Sequence, residues 1–237
     1  MNLSNLFRKY YRFNCYERDM WVAKMAKTIP ADSSVLDVGA GSCPYRNLFD
    51  HCNYKSQDFA QLKSTQLRGG TGYDQIDYVG DVNNIPVDDA SFDAIVCTEV
   101  IEHCSEPILA IKEFSRIIKS GGKLIISAPL QSGIHQEPYH FYGGYTKFWY
   151  QKFLSESGFD DIQIVENGLF NKFYLQESLR FLIKNHPLRN IATFLFFPFW
   201  FVLLCIFVPF AFIAPLFDKF DTEKRFTIGY HVTAIKK

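Results

Sequence analysis

An acidic residue followed at once by a glycine-rich turn is the first place where this 237-residue sequence can do chemistry. The stretch VLDVGAGSCPY, Val35 to Tyr45, sets Asp37 two residues ahead of Gly39, with Gly41 close behind. Glycines in such a turn let the backbone come close to a ligand. A dinucleotide site wants a third glycine, because its pyrophosphate rests on the N-terminus of the next helix. Here Pro44 stands in that place, and the Asp37 carboxylate would repel a pyrophosphate. Both departures count against a nicotinamide dinucleotide and suit a cofactor with a cationic amino-acid end. The six cysteines form no CxxC pair, and His51-Cys52 and His103-Cys104 lack ligand pairs at zinc-site spacing. The expectation is therefore no metal, and reduced, mostly buried thiols in a cytosolic compartment.

The elements that must position these residues alternate along the chain. Trp21, Val22, Met25 and Ala26 make an apolar stripe on a helix near Glu17 to Lys27. Val35–Val38 reads as a short buried strand, Tyr54–Asp58 as a weaker second one, and Asp77–Asp81 as a third. Phe92–Thr98 is a continuous apolar run of the kind found inside a parallel sheet. A helix over Glu106–Lys119 is expected to stop at Gly121-Gly122. Lys123–Ala128, a helix over Thr146–Ser157, Phe159–Glu166 and the alternating C-terminal TIGYHVTAIKK complete the series. Strands separated by helices predict an α/β three-layer sandwich with a mostly parallel seven-stranded sheet. The expected division is an N-terminal helical segment over 1–30, a cofactor-binding domain over 31–168, a hydrophobic insertion over 169–226, and a last strand over 227–237. Acidic and basic side chains balance at 25 each, which argues against nucleic acid as a partner.

Taken together, VLDVGAGSC, the carboxylate of Asp58, GDVNNIPVDDASFDAIVCTEVIEHCSEP and IIKSGGKLIISAP resemble the class I S-adenosylmethionine-dependent methyltransferases. The nearest pattern is the broad subgroup that includes the quinone-biosynthesis enzymes. The resemblance covers about residues 17 to 166 and resumes at 227, and Cys43 replaces the third glycine of the family turn. It implies S-adenosyl-L-methionine as cofactor. By the same resemblance, Asp37 lies near the amino group of the cofactor, with Gly39 and Gly41 beneath its methionine and ribose portions. Asp58 accepts the ribose hydroxyls, Asp81 and Val82 meet the adenine edge, and Thr98 and Glu99 line the methionine end. His103, one turn after Glu99, faces the same cleft. The segment APLQSGIHQEPYHFYGGYT, residues 128–146, carries His135, Glu137, His140 and three tyrosines, and in similar sequences it borders the acceptor pocket. His135 or His140 is placed to act as general base, or both hold the loop through backbone hydrogen bonds.

Ile191 to Phe217 is a 27-residue run without charge, punctuated by Pro198, Pro209 and Pro215. About 20 apolar residues cross a bilayer once and roughly 35 to 40 cross it twice. The strands on either side must join one sheet, which forbids a single crossing. The expectation is an interfacial or re-entrant helical hairpin, bent at Pro198 or Pro209, at the cytoplasmic face of a membrane. Arg180, Lys184 and Arg189 before it, and Lys219, Lys224 and Arg225 after it, are placed to meet anionic headgroups. The alternative is a buried hairpin at a homodimer interface. MNLSNLFRKYYRFNCYERDM at the N-terminus does not read as a signal peptide. The combined expectation is methyl transfer to a small-molecule or lipid-linked acceptor, a glycolipid or polyprenyl-linked glycan ahead of a quinone precursor. The rival is a non-catalytic membrane adaptor on the same fold.

Overall fold

The computed structural model describes residues 12–70, 72–189 and 191–237. The chain divides into two compact units. One comprises Arg18–Val165 with Gly229–Lys237; the other comprises Glu166–Ile228 with the described residues before Arg18. This division falls inside the first helix, and part of the N-terminal segment expected over 1–30 lies outside the described residues.

The first unit is built on seven strands: β1 (Ser34–Val38), β2 (Asn53–Asp58), β3 (Tyr78–Val79), β4 (Phe92–Thr98), β5 (Ile118–Pro129), β6 (Phe159–Glu166) and β7 (Gly229–Lys236). Their order is β3-β2-β1-β4-β5-β7-β6, the sheet expected from the sequence. From β3 to β5 the pairs are parallel, and β7 runs antiparallel to β5. Alternate side chains of a strand point to opposite faces. Leu36, Val38, Ile95 and Cys97 accordingly enter one core with Ala110, Ile111, Phe114 and Ile117 of helix α2 (Pro107–Ile117). Val35, Ala94, Val96 and Ile125 enter the other, with Val22 and Ala26 of helix α1 (Phe13–Ala26). Two cores on two faces make the three layers. A third helix, α3 (Lys147–Glu156), starts where the Thr146 hydroxyl accepts the Trp149 N–H.

Two elements differ from expectation. The third strand keeps only Tyr78–Val79, because the Asp77 carboxylate caps the edge instead, accepting the Ser56 N–H at 2.9 Å. Helix α2 ends at Ile117, ahead of the two glycines, because Ile118 already pairs with Phe92 at the start of β5.

The second unit is helical: α4 (Phe170–Lys184), α5 (Ile191–Phe194) and α6 (Phe197–Ile213). The Asp218 carboxylate accepts the N–H groups of Leu169, Asn171 and Lys172 at 3.2, 3.0 and 3.3 Å, and Asp221 accepts that of Phe170. Negative charge there satisfies the orphan donors of α4 and opposes its dipole. Trp200 Nε1 donates to the Leu182 carbonyl at 2.9 Å, tying α6 to α4. The hairpin expected within 191–217 is thus formed differently: the run makes the short α5 and the long α6, and the partner of α6 is α4. Pro198 sits in the first turn of α6, where no N–H is lost, and Pro209 lies inside it. The axis turns by 53° between Phe197–Phe210 and Ala214–Phe220. Among the described residues no single helix is long and apolar enough to cross a membrane; this bent pair meets the test together.

Candidate active site

The strand order reverses beside β1, since the chain runs outward through β2 and β3 and then returns to add β4 on the other side. In open α/β sheets the crevice beyond the carboxyl ends at such a point is where ligands bind. A cavity of about 500 Å³ opens there, within the first unit.

The Gly39–Gly41 turn forms its floor. Gly39 and Gly41 have φ of +66° and +55°, and a Cβ at Gly39 would overlap the Val100 side chain. The conformation and the close approach both demand glycine. The Gly41 N–H donates to Asp58 Oδ2 and the Ala60 N–H to Asp58 Oδ1, each at 2.9 Å, so two backbone donors fix this buried carboxylate at the end of β2. Asp37, also buried, accepts from the Tyr54 hydroxyl at 2.7 Å. Burial pushes its carboxyl up to about 7; the Tyr54 hydroxyl opposes this and the negative charge of Asp58 adds to it. Two carboxyls held under one turn leave a site that favours a cation.

Asp81, Val82, Thr98, Glu99 and His103 line the same cavity. All nine residues assigned to the cofactor from sequence therefore share one wall system. Glu99 sits at φ +55°, a sparsely populated conformation for a residue with a Cβ. It is held there by three bonds: its N–H to the Ser127 carbonyl at 2.8 Å, Ser127 Oγ to Oε1 at 3.1 Å, and Arg18 to Oε2 at 3.2 Å.

Arg18 was not singled out in the sequence, yet it lines the cavity from α1. Its Nε donates to the Tyr45 hydroxyl at 3.2 Å, which also receives Arg68 Nη1. Its signal was present: Arg18 lies four residues before Val22, on the inward stripe of the helix.

The loop 130–145 closes the cavity with other residues than expected. Gln136, Tyr139 and Phe141 line it, and His135 and His140 do not. Gln136 Nε2 donates to the Gln66 carbonyl and Gln66 Nε2 to the Glu137 carbonyl, both at 3.0 Å, so two loops latch over the opening. The two histidines instead stand against His103. Ring centroids are 4.8 Å apart for His103–His135, 5.5 Å for His103–His140 and 4.5 Å for His135–His140. His103 Nδ1 lies 2.7 Å from the Tyr139 carbonyl, so that nitrogen carries the proton and Nε2 keeps its lone pair. Burial brings the His103 imidazole down to about 4, the Tyr139 carbonyl opposing and the neighbouring histidines adding. It is a neutral base at physiological pH.

Comparison with known proteins gives this cavity its context. Residues 36–126 match the family model described as a methyltransferase domain. A ubiquinone biosynthesis O-methyltransferase of Xanthomonas oryzae pv. oryzae is 37% identical over 103 residues, 41% of this chain and 43% of that protein. A sarcosine/dimethylglycine N-methyltransferase of Halorhodospira halochloris is 25% identical over 157 residues, 60% of this chain and 56% of that one. The chain thus spans about half the length of these curated relatives. Among solved structures, the [4+2]-cyclase SpnF superposes with a TM-score of 0.54 at 18% identity, covering 93% of this chain and 80% of that one, a likeness of fold.

Proposed function

We propose that the chain is a class I S-adenosylmethionine-dependent methyltransferase, the reading supported by the match of residues 36–126 and by the sheet order, and that it methylates a lipid-soluble or lipid-linked acceptor at a membrane surface. The observation that carries the methyl-transfer reading is the paired, buried Asp37 and Asp58 under a turn that only glycine can make. That set fits the cofactor: Asp58, already oriented by two N–H groups, has lone pairs left for the ribose hydroxyls in charge-assisted bonds, and Asp37 matches an ammonium. When bound, S-adenosylmethionine supplies a methyl carbon activated by its sulfonium. The chemistry it would supply is displacement of that carbon from sulfur by an acceptor atom, which would give up a proton as it bonds. The protein's share is alignment and exclusion of water. Gln66 and Gln136 latch the loops over the cleft, and His103 Nε2 offers a lone pair for the proton of the acceptor.

The membrane reading is supported by α6. Phe199, Phe201, Val202 and Ile206 are exposed by 64%, 50%, 54% and 55%, on a helix with no charged side chain. A helix apolar all round belongs in a core or a bilayer, and so large an exposed patch marks an interaction surface. β6 and β7 are neighbours in one sheet, so the excursion between them must return to the side it left. We place it as an interfacial segment, on the cytoplasmic face, in keeping with six free cysteines. The flanking charges contribute little. Arg180, Lys224 and Arg225 pair with Glu177, Glu166 and Glu223, and Asp218 and Asp221 are taken up by α4.

The test uses methyl-labelled S-adenosylmethionine with anionic phospholipid vesicles carrying a membrane lipid extract. Label should pass into the organic phase, and a Phe199→Ser, Phe201→Ser, Val202→Ser, Ile206→Ser variant should bind S-adenosylhomocysteine normally yet lose both vesicle binding and labelling. A variant that labels lipid as well as the parent would contradict the membrane reading.

A further inference from the structure

A second cluster of chemistry-bearing groups lies at the end of the cleft, around the short helical turn Ile101–His103. Glu102 is 1% exposed, and its Oε2 has no hydrogen-bond partner. Its Oε1 stands 3.8 Å from His103 Nε2. One donor atom from each of Glu102, His103 and His135 lies within 4.8 Å of the others. His135 Nδ1 meets the Gly133 carbonyl at 2.9 Å, as His103 Nδ1 meets that of Tyr139, so each ring points a bare Nε2 lone pair away from a fixed N–H. That is how a metal-binding imidazole is held: the far nitrogen donates to a carbonyl, which fixes tautomer and ring plane.

The scaffold around the cluster is braced as such a site requires. The Glu102 carbonyl accepts the N–H groups of both Phe141 and Tyr142 at 3.1 Å, and the Tyr142 hydroxyl donates to the Ser105 carbonyl at 3.0 Å. These bonds clamp the histidine loop onto the turn that carries Glu102 and His103. His140 packs on both rings with its Nε2 at 3.1 Å from Ser132 Oγ, flanking the set.

We propose that Glu102, His103 and His135 bind one divalent first-row transition metal ion of the zinc type. Two imidazoles and a carboxylate match such an ion rather than magnesium, whose preferred ligands are oxygens. Donors on one zinc at about 2.0–2.2 Å stand roughly 3.4 Å apart, so the widest separation in the cluster would contract by up to about 1.4 Å, a movement the exposed His135 side chain is free to make. Three protein ligands leave a coordination position open, the pattern of a reactive rather than a structural site. His103 also lines the cavity, so the site borders the cleft. The inference deepens the methyl-transfer reading and rests on it for the role of the ion alone. An acceptor hydroxyl on the metal would lose its proton to solvent at neutral pH, and the ion would replace the free His103 lone pair in that role. The sequence expectation of no metal looked for ligands at fixed linear spacing. These donors come from two segments more than 30 residues apart in the chain.

The test is made on tag-free protein, stripped with EDTA and exchanged into chelator-free buffer. Zn²⁺ is titrated calorimetrically, and Co²⁺ is followed by visible absorbance. One equivalent should bind, with Co²⁺ d–d bands; His135→Ala and His103→Ala should weaken binding by roughly 100-fold or more and abolish the bands. His51→Ala, whose ring meets the Ile29 carbonyl elsewhere in the fold, should bind like the parent. His135 is in an exposed loop, so its variant reads out even if His103→Ala fails to fold. Absence of stoichiometric binding, or equal binding by His135→Ala, would overturn the site. Titrating the same samples with S-adenosylhomocysteine separates the two readings. Cofactor binding without metal binding removes the metal site alone, and metal binding without cofactor binding removes the methyl-transfer reading alone.

Discussion

Asp37 carries a proton-linked consequence that follows from where it sits. In the free protein its carboxyl titrates at about 7, because burial and the nearby Asp58 both disfavour its charge. A ligand bearing an ammonium binds the ionised form, so at pH below 7 its binding must first expel a proton. Affinity for S-adenosylhomocysteine should therefore level off by about pH 8, where Asp37 is ionised and the ligand still carries its ammonium, and fall, by up to roughly tenfold per pH unit, as the solution is acidified below 7. Asp37→Asn should flatten that slope. Calorimetry in buffers of different ionisation enthalpy would count the proton released, and a wild-type affinity indifferent to pH would separate Asp37 from the ammonium. The carboxylates and glycines of this site are legible in sequence because each follows a strand whose apolar run can be recognised. The Glu102, His103 and His135 cluster is not legible, since it exists only once the loop has folded back onto the turn at Glu102.

At the scale of the element, the helical insertion shows what sequence patterning could and could not convey. The length and lack of charge of the 191–217 run were plain, but its partner was not. The pairing with α4 depends on single bonds, from Trp200 to Leu182 and from Asp218 to the first turn of α4. Read as charge, Asp218 and Asp221 merely dilute a basic cluster; in the structure they are caps. Asp218→Ala should cost about 1–2 kcal/mol, the scale for losing an N-cap together with its interaction with the dipole. Amide exchange at Asn171 and Lys172 should quicken selectively in that variant. Unchanged exchange at both amides would mean that the cap bonds contribute nothing in solution. The third strand and the end of α2 were misjudged for a related reason. An aspartate cap and a strand register, neither visible as periodicity, set those boundaries.

For the whole molecule, the sequence pattern led to the sheet because buried parallel strands are near-continuous apolar runs, and three of them, β1, β4 and β5, are present in order. The two compact units part at Arg18, inside α1, a boundary that no periodicity in the sequence marks. The cavity beyond β1, β2 and β4 of the first unit is where S-adenosylmethionine is proposed to bind. The most direct measurement is a calorimetric titration of the full chain with S-adenosylhomocysteine, wild type beside Asp58→Ala. The prediction is saturable one-to-one binding by the wild type, weakened in the variant by about 1.5–3 kcal/mol, the range for hydrogen bonds to a charged group, or roughly 10- to 150-fold. A wild type that takes up no ligand, or an Asp58→Ala variant that binds as tightly as the wild type, would contradict it.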